Sequence, residues 1–305
     1  MLYTTVLRAG TTRRTTLAAA LAGVLAGPLA VAAPASAAAA PYVQTVAILD
    51  ACDGVNIYSQ GTWTNLGETA YSIYMGSPGL FAVVPDSGDI TRYNGTPGSW
   101  TTIGGPGAQF AIGGAYLYGL GPSDNYVAVW NGLGQGWTEI GGPASAIAAG
   151  GYGLVAKNPA GTAVFLYNGT PGSWTQIGGT SIAGGTTFTV SDSGIYAVTS
   201  NGTVEQWTGG QNWSVIGGGV QTLYAGGFGV FGVQSATGDI AQYSGTPGYW
   251  TVIGGPGKQF AVSQNGLYGL APDQSYVAQY SPGNGWYVIS GGLQYTQTNA
   301  ITAGG

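Results

Sequence analysis

The sequence predicts an all-β protein built as a closed ring of seven four-stranded blades, each about 37 residues long. Three observations predict it. A tryptophan-centred segment returns at a fixed period, each repeat divides into four short strand-like runs, and the two ends carry complementary parts of one repeat.

The period is plainest in residues 93–107, YNGTPGSWTTIGGPG, which return as YNGTPGSWTQIGG from Tyr167 and as YSGTPGYWTVIGGPG from Tyr243. Looser copies follow Trp130, Trp207 and Tyr280, and a worn first copy begins at Ile57. The tryptophans at their centres are Trp63, Trp100, Trp137, Trp174, Trp213, Trp250 and Trp286, at intervals of 37, 37, 37, 39, 37 and 36 residues.

One unit shows how the strands are cut. Between Trp100 and Trp137 the runs WTTI, QFAI, LYGL and YVAVW are separated by GGPG, GG and GPSDN. Runs of four or five residues rich in aromatic and β-branched types, bounded by Gly, Pro, Asn and Asp, read as an antiparallel meander. Several runs are apolar at both parities, so both faces of each sheet are covered. Four short strands covered on both faces and repeated radially describe a β-propeller.

The ends specify the closure. The folded part begins with a second-type strand near residues 47–49, and its innermost strand is missing there. The C-terminal run AITAGG (residues 300–305) matches AIAAGG (146–151), the innermost type. The C-terminal strand is therefore expected to complete the N-terminal blade, which leaves a single seven-bladed β-propeller over residues 43–305. The units 89–130 and 239–280 match each other best.

Residues 1–37 read as a cleaved signal peptide, with 38–42 a short linker. Arg8, Arg13 and Arg14 form the basic region, residues 17–33 the apolar core, and Ala35-Ser36-Ala37 the small-residue cleavage site. The apolar core is short and interrupted by Gly and Pro, which disfavours a membrane anchor, so no span is expected after removal. The Ala-rich segment has bacterial character, and TRRTTL partly matches a twin-arginine signal, leaving Sec and Tat export both open. The expected product is secreted and extracellular, and monomeric.

The exported chain keeps Arg92, Lys157 and Lys258 against 11 acidic residues, a formal net charge of −8. Nucleic-acid binding requires a basic surface that is missing. Cys52 is the only cysteine, which excludes an internal disulfide, and it is expected to be buried as a small apolar residue.

Histidine is absent, which removes Ser-His-Asp and Cys-His catalysis and histidine metal sites. One arginine cannot form the cluster a sialidase needs. A glycosidase needs two placed carboxylates, and none of the 11 acids stands in such a setting. GGYGLV (150–155) has valine where a calcium-binding nonapeptide needs aspartate. The expectation is a binding protein with no catalytic residues, metal or cofactor.

Two sets of residues are candidates for binding. Asp or Asn recurs between the second and third strands: Asp53, Asp86, Asp124, Asn158, Asn201, Asp239 and Asp273. Such residues bond their own turn backbone, and they also form a ring of acceptors on one face, near the Gly-Gly-Pro connections, suited to sugar hydroxyls first and calcium second. The tryptophans cover blade edges, and some can stack on a sugar ring from a groove between blades. Asp86, Asp124, Asn158, Asn201 and Asp273, with Trp100, Trp250, Tyr126 and Tyr276, form the candidate carbohydrate site.

With Gly-x-Trp-x-x-Ile-Gly-Gly, a Leu-Tyr-Gly-Leu-like strand and a Val-x-x-Tyr strand in each unit, the chain resembles the tectonin and tachylectin-type propeller lectins. The resemblance spans the repeat region and implies calcium-independent binding of glycans, such as N-acetylated amino sugars or methylated sugars, at sites repeated around the ring. Those rings can have five or six blades rather than seven. The expected partners are glycans on cell surfaces or polysaccharides. A protein partner, as for a secreted inhibitor or adhesion protein, is the alternative.

Overall fold

A computed structural model describes residues 45–290 and 297–304. The segments expected to be signal peptide (1–37) and linker (38–42), and residues 43, 44, 291–296 and 305 of the expected propeller, lie outside them. Among the described residues the strands form seven four-stranded antiparallel sheets. The innermost strands touch one another in a closed circuit, each against the next and the last against the first. The molecule is a seven-bladed β-propeller.

Blade 1 is the split one. Its innermost strand, Thr298–Gly304, pairs antiparallel with Thr45–Asp50, with Ile48 opposite Ile301 and Val46 opposite Ala303. Gly54–Ser59 and Thr62–Thr69 complete it. Blades 2 to 7 run in chain order, with innermost strands Ser72–Gly76, Gln109–Gly113, Ala146–Gly150, Thr187–Val190, Val220–Gly226 and Gln259–Val262.

Seven apolar clusters each lie between two adjacent blades, which is why strands carry hydrophobic residues at both parities. Val46, Ile48 and Ile301 of blade 1 pack on Tyr268, Leu270 and Ile289 of blade 7. Tyr118, Leu120 and Val127 of blade 3 pack on Ile147 and Leu154 of blade 4. The junction between first and last blades is thus built like the others.

The repeated Trp-x-x-Ile-Gly motif is an interblade latch. Each indole Nε1–H donates to a carbonyl on the outermost strand of the preceding blade, or just after it: Trp100 to Leu66, Trp137 to Ile103, Trp174 to Ile140, Trp213 to Ile177, Trp250 to Ile216 and Trp286 to Ile253, at 2.7–3.0 Å. Trp63 closes the circuit on Ile289 at 2.7 Å. The glycine after the isoleucine is what lets the indole approach. A Cβ on Gly217 would lie 2.4 Å from Trp250 Nε1, and one on Gly254 2.4 Å from Trp286 Nε1. In blades 2, 4 and 6 the Gly-Thr-Pro-Gly hairpin adds a second bond, from Gly98, Gly172 and Gly248 N–H to the carbonyls of Leu66, Ile140 and Ile216.

The 39-residue interval holds the one helical turn among the described residues, Thr180–Ala183. Its Ile182 is buried between blades 4 and 5. Cys52 departs from expectation: it is exposed. The reason is local, because it sits in the turn after Asp50, whose buried carboxylate accepts the amides of Cys52 and Gly54 and the side-chain amide of Asn56 at 2.8–3.0 Å. The backbone of Cys52 is held inward to that carboxylate while its thiol faces out.

Candidate functional site

Open grooves lie where the chain crosses between blades through Gly-Gly-Pro, at residues 104–106, 141–143 and 254–256. Their volumes are about 240, 240 and 300 Å³. The largest is at the lower end of small-molecule sites, about 300–1,000 Å³, and the other two fall just below it, a size that suits one ring-sized unit.

The grooves at blades 3 and 7 are near copies. In blade 3 the walls are Pro106, Tyr126 and Trp137, with Phe110 beneath; in blade 7 they are Pro256, Tyr276 and Trp286, with Phe260 beneath. The Phe110 and Trp137 ring centroids are 6.1 Å apart at 51°, and those of Phe260 and Trp286 6.0 Å apart at 56°. Glycine makes room for both rings. A Cβ on Gly107 would lie 2.7 Å from Phe110 Cζ, and one on Gly257 2.6 Å from Phe260 Cζ. On the second strand, Gly119 and Gly269 lie against the same Phe and Trp rings. The preceding tyrosines of those strands, Tyr118 and Tyr268, are buried, which raises both phenols, Tyr268 to about 12.

The groove at blade 4 is a variant. Phe165 and Trp174 line it with Asn158 and Lys157. The Lys157 ammonium is turned to the next blade, donating to the Thr186 carbonyl at 2.8 Å and lying 5.7 Å from the Phe188 ring centroid. Partial burial lowers its pKa.

The predicted site residues divide. Tyr126, Tyr276 and Asn158 line grooves. Trp100 and Trp250 are part-buried latches, their N–H groups committed to Leu66 and Ile216. The Asp/Asn set serves mainly its own turns. Asn158 Oδ1 accepts the amides of Thr162 and Ala163, and Asn201 Oδ1 accepts the Thr199 hydroxyl and the Thr203 amide. Asp273 accepts the hydroxyl and amide of Ser275, which lowers its pKa. Asp86 and Asp124 are exposed and adopt positive φ, 69° and 56°, a conformation Asp tolerates better than most side chains. Among the described residues no three His, Cys, Asp or Glu side chains converge to hold a metal ion.

Groove residues absent from the predicted set are Trp137, Trp174, Trp286, Pro106 and Pro256. Their signal was present in the sequence: Gly-Gly-Pro occurs at these three crossings and at no other.

No protein-family model and no curated protein matches the chain. Solved structures do. Apo AztD from Citrobacter koseri superposes with a TM-score of 0.52 at 13% identity, over 86% of this chain and 98% of that one. A functionally unknown protein from Desulfotomaculum acetoxidans gives 0.53 at 12%, over 85% and 98%. YCF48 from Cyanidioschyzon merolae gives 0.50 at 11%, over 81% and 89%. At these identities the likeness is one of fold.

Proposed function

We propose that this chain is a secreted, multivalent carbohydrate-binding propeller with no catalytic role, working in the manner of the tectonin and tachylectin-type lectins it resembles. The observation that carries the reading is the recurrence of one aromatic-walled groove at three Gly-Gly-Pro crossings. Aromatic faces beside exposed backbone amides and carbonyls suit a pyranose, which has an apolar face and a polar edge. Weak sites repeated on a rigid ring gain avidity on a glycan-coated surface through effective concentration. A glycan array with the chain starting at residue 38 tests this. Binding to a defined glycan set, lost when Tyr126 and Tyr276 are both replaced by alanine, is the expected result; no binding at high glycan density overturns it.

A protein partner is the second reading, and one observation favours it. The two residues after each latch tryptophan are exposed on the outer rim. They are polar in blades 1 to 4 but include Val215, Val252, Tyr287 and Val288 in blades 5 to 7, each 46–60% exposed. This apolar sector is an unpaired sheet edge of the kind that partners use. Loss of partner binding in a V215T/V252T/V288T variant with unchanged glycan binding would separate the two roles.

A further inference from the structure

The grooves of blades 3 and 7 share an aromatic floor but run in different directions from it. The outermost strand lines the blade-7 groove with three consecutive residues, Trp286, Tyr287 and Val288, and the blade-3 and blade-4 grooves with one each, Trp137 and Trp174. The blade-3 groove instead reaches Pro122, in the turn after the second strand. Its volume is about 240 Å³, against about 300 Å³ in blade 7.

Two differences between otherwise matching blades account for this. The first is Gly121 in blade 3 against Ala271 in blade 7, each directly after the second strand. A Cβ on Gly121 would lie 2.6 Å from Cε1 of Tyr126, so in blade 3 the tyrosine ring rests against a bare glycine. Ala271 carries that methyl group, and the ring of Tyr276 cannot take the same place. Tyr276 is accordingly 42% exposed, while Tyr126 is half-buried. The second difference lies two residues beyond the groove tryptophan, hence on the same face of the outermost strand. Val288 stands there in blade 7, paired with Ala278, and Glu139 in blade 3, paired with Ala128. Both alanines line their grooves, and Val288 lines its own as well.

We infer that the blade-7 groove is an extended site for a glycoside bearing an uncharged apolar substituent, an aryl or alkyl group, with the sugar ring against Trp286 and the substituent along Tyr276 and Val288. The inference rests on the carbohydrate reading of these grooves and adds the chemistry of the ligand at one of them. Among the described residues, no charged side chain lines the blade-7 groove. Its polar side-chain atoms are tyrosine hydroxyls and an indole N–H already given to the Ile253 carbonyl. A second sugar unit would leave hydroxyls without partners there, at a cost. An apolar substituent needs no partners and gains by leaving water. Blade 3 lacks the extension, because Tyr126 rests inward on Gly121 and the place of Val288 is taken by a carboxylate, which favours water.

Calorimetric titration of the chain from residue 38 tests this with the methyl, hexyl and 4-nitrophenyl β-glycosides of N-acetylglucosamine, glucose and galactose. The expected result is one site at which the hexyl and 4-nitrophenyl forms of a sugar bind roughly tenfold or more tighter than its methyl form, the scale of burying several carbons. Val288→Glu and Ala271→Gly each reduce that preference and leave the methyl glycoside unchanged. Gly121→Ala/Glu139→Val gives blade 3 the residues of blade 7 and creates a second such site; the φ of Gly121 is not left-handed, so its backbone accepts alanine. Equal affinity for the methyl and apolar glycosides overturns the inference, as does a preference that survives in the Ala271→Gly/Val288→Glu double variant. If the methyl glycosides still bind in either case, and Tyr126→Ala/Tyr276→Ala abolishes that binding, the carbohydrate reading stands and the extension alone fails. If none of the glycosides binds, the inference falls, and a blank glycan array would mark that failure as one of the carbohydrate reading itself.

Discussion

The indole Nε1–H of Trp63 donates to the carbonyl of Ile289 at 2.7 Å, joining the first blade to the last across 226 residues of chain. The same bond recurs between the other adjacent blades described, so the ring is sealed at the point where it could open by a contact it already uses six times. Replacing Trp63 with phenylalanine keeps most of the ring packing but leaves the carbonyl without that donor. The expected cost is about 1–3 kcal/mol, read as a lower urea midpoint. A variant as stable as the parent would show that the packing of Val46, Ile48 and Ile301 on blade 7 holds the seam without the latch.

Glycine after the latch isoleucine is a matter of space rather than of turn geometry. Gly217→Ala would bring a methyl group 2.4 Å from Trp250 Nε1, and the indole must withdraw from the Ile216 carbonyl. A loss of about 1–3 kcal/mol is expected, as for other overpacked sites. Gly142→Ala is the control. Its Cβ would meet nothing within 4 Å and its φ is not left-handed, so its thermal midpoint should match the parent's.

Asp50 is 2% exposed and accepts three hydrogen bonds within its own turn. Asp50→Ala strands the amides of Cys52 and Gly54 and the Asn56 side chain. A loss of about 2–4 kcal/mol is expected from removing bonds to a charged acceptor and leaving buried donors unpaired. Hydrogen exchange should speed up first at Cys52 and Gly54. Uniform exchange across blade 1 would contradict a local role for this carboxylate.

Alkali should loosen the ring through its buried tyrosines. Burial holds the Tyr268 phenol protonated up to about 12, and that of Tyr118 is also raised, against an ordinary value of 10.0. The folded state therefore keeps these protons to higher pH than the unfolded chain. Their contribution is complete below pH 10 and is lost as pH rises from about 10 to about 12. Urea unfolding at pH 9 and pH 11 should show that loss, and Tyr268→Phe should reduce it. An unchanged slope in that variant would assign the alkaline loss to other groups.

The architecture was legible because the pattern that encodes it is local and redundant. The tryptophan interval, the four runs per unit and the match of residues 300–305 to 146–151 each lead to the observed ring, down to the shared blade. The site was legible only in outline. Tyr126, Tyr276 and Asn158 do line grooves, but Trp100 and Trp250 do not line these three: every latch indole gives its N–H to a neighbouring carbonyl, and it is Trp137, Trp174 and Trp286, which follow Gly-Gly-Pro crossings, that also border a groove. Which tryptophan borders a groove depends on the crossing before it, a relation between blades that one unit does not reveal. The Asp/Asn ring stood out by recurrence, yet recurrence there reflects turns that need positive φ or a side-chain acceptor. Cys52 was misplaced because a local contact decides it: the Asp50 carboxylate two residues before it takes its amide and holds the turn so that the residue is exposed.

The pairing of Ile48 with Ile301 also dictates an order of assembly. Blades 2 to 7 can each form from neighbouring residues, whereas blade 1 must wait for a strand from the far side of the ring, and contacts between such distant residues form slowly. Until then Thr45–Asp50 presents a bare apolar edge, the kind of surface on which chains stick to one another. The sealing of this one sheet should therefore be the slow, concentration-sensitive step of refolding, and a strand peptide of sequence TNAITAG supplied in excess should compete for it.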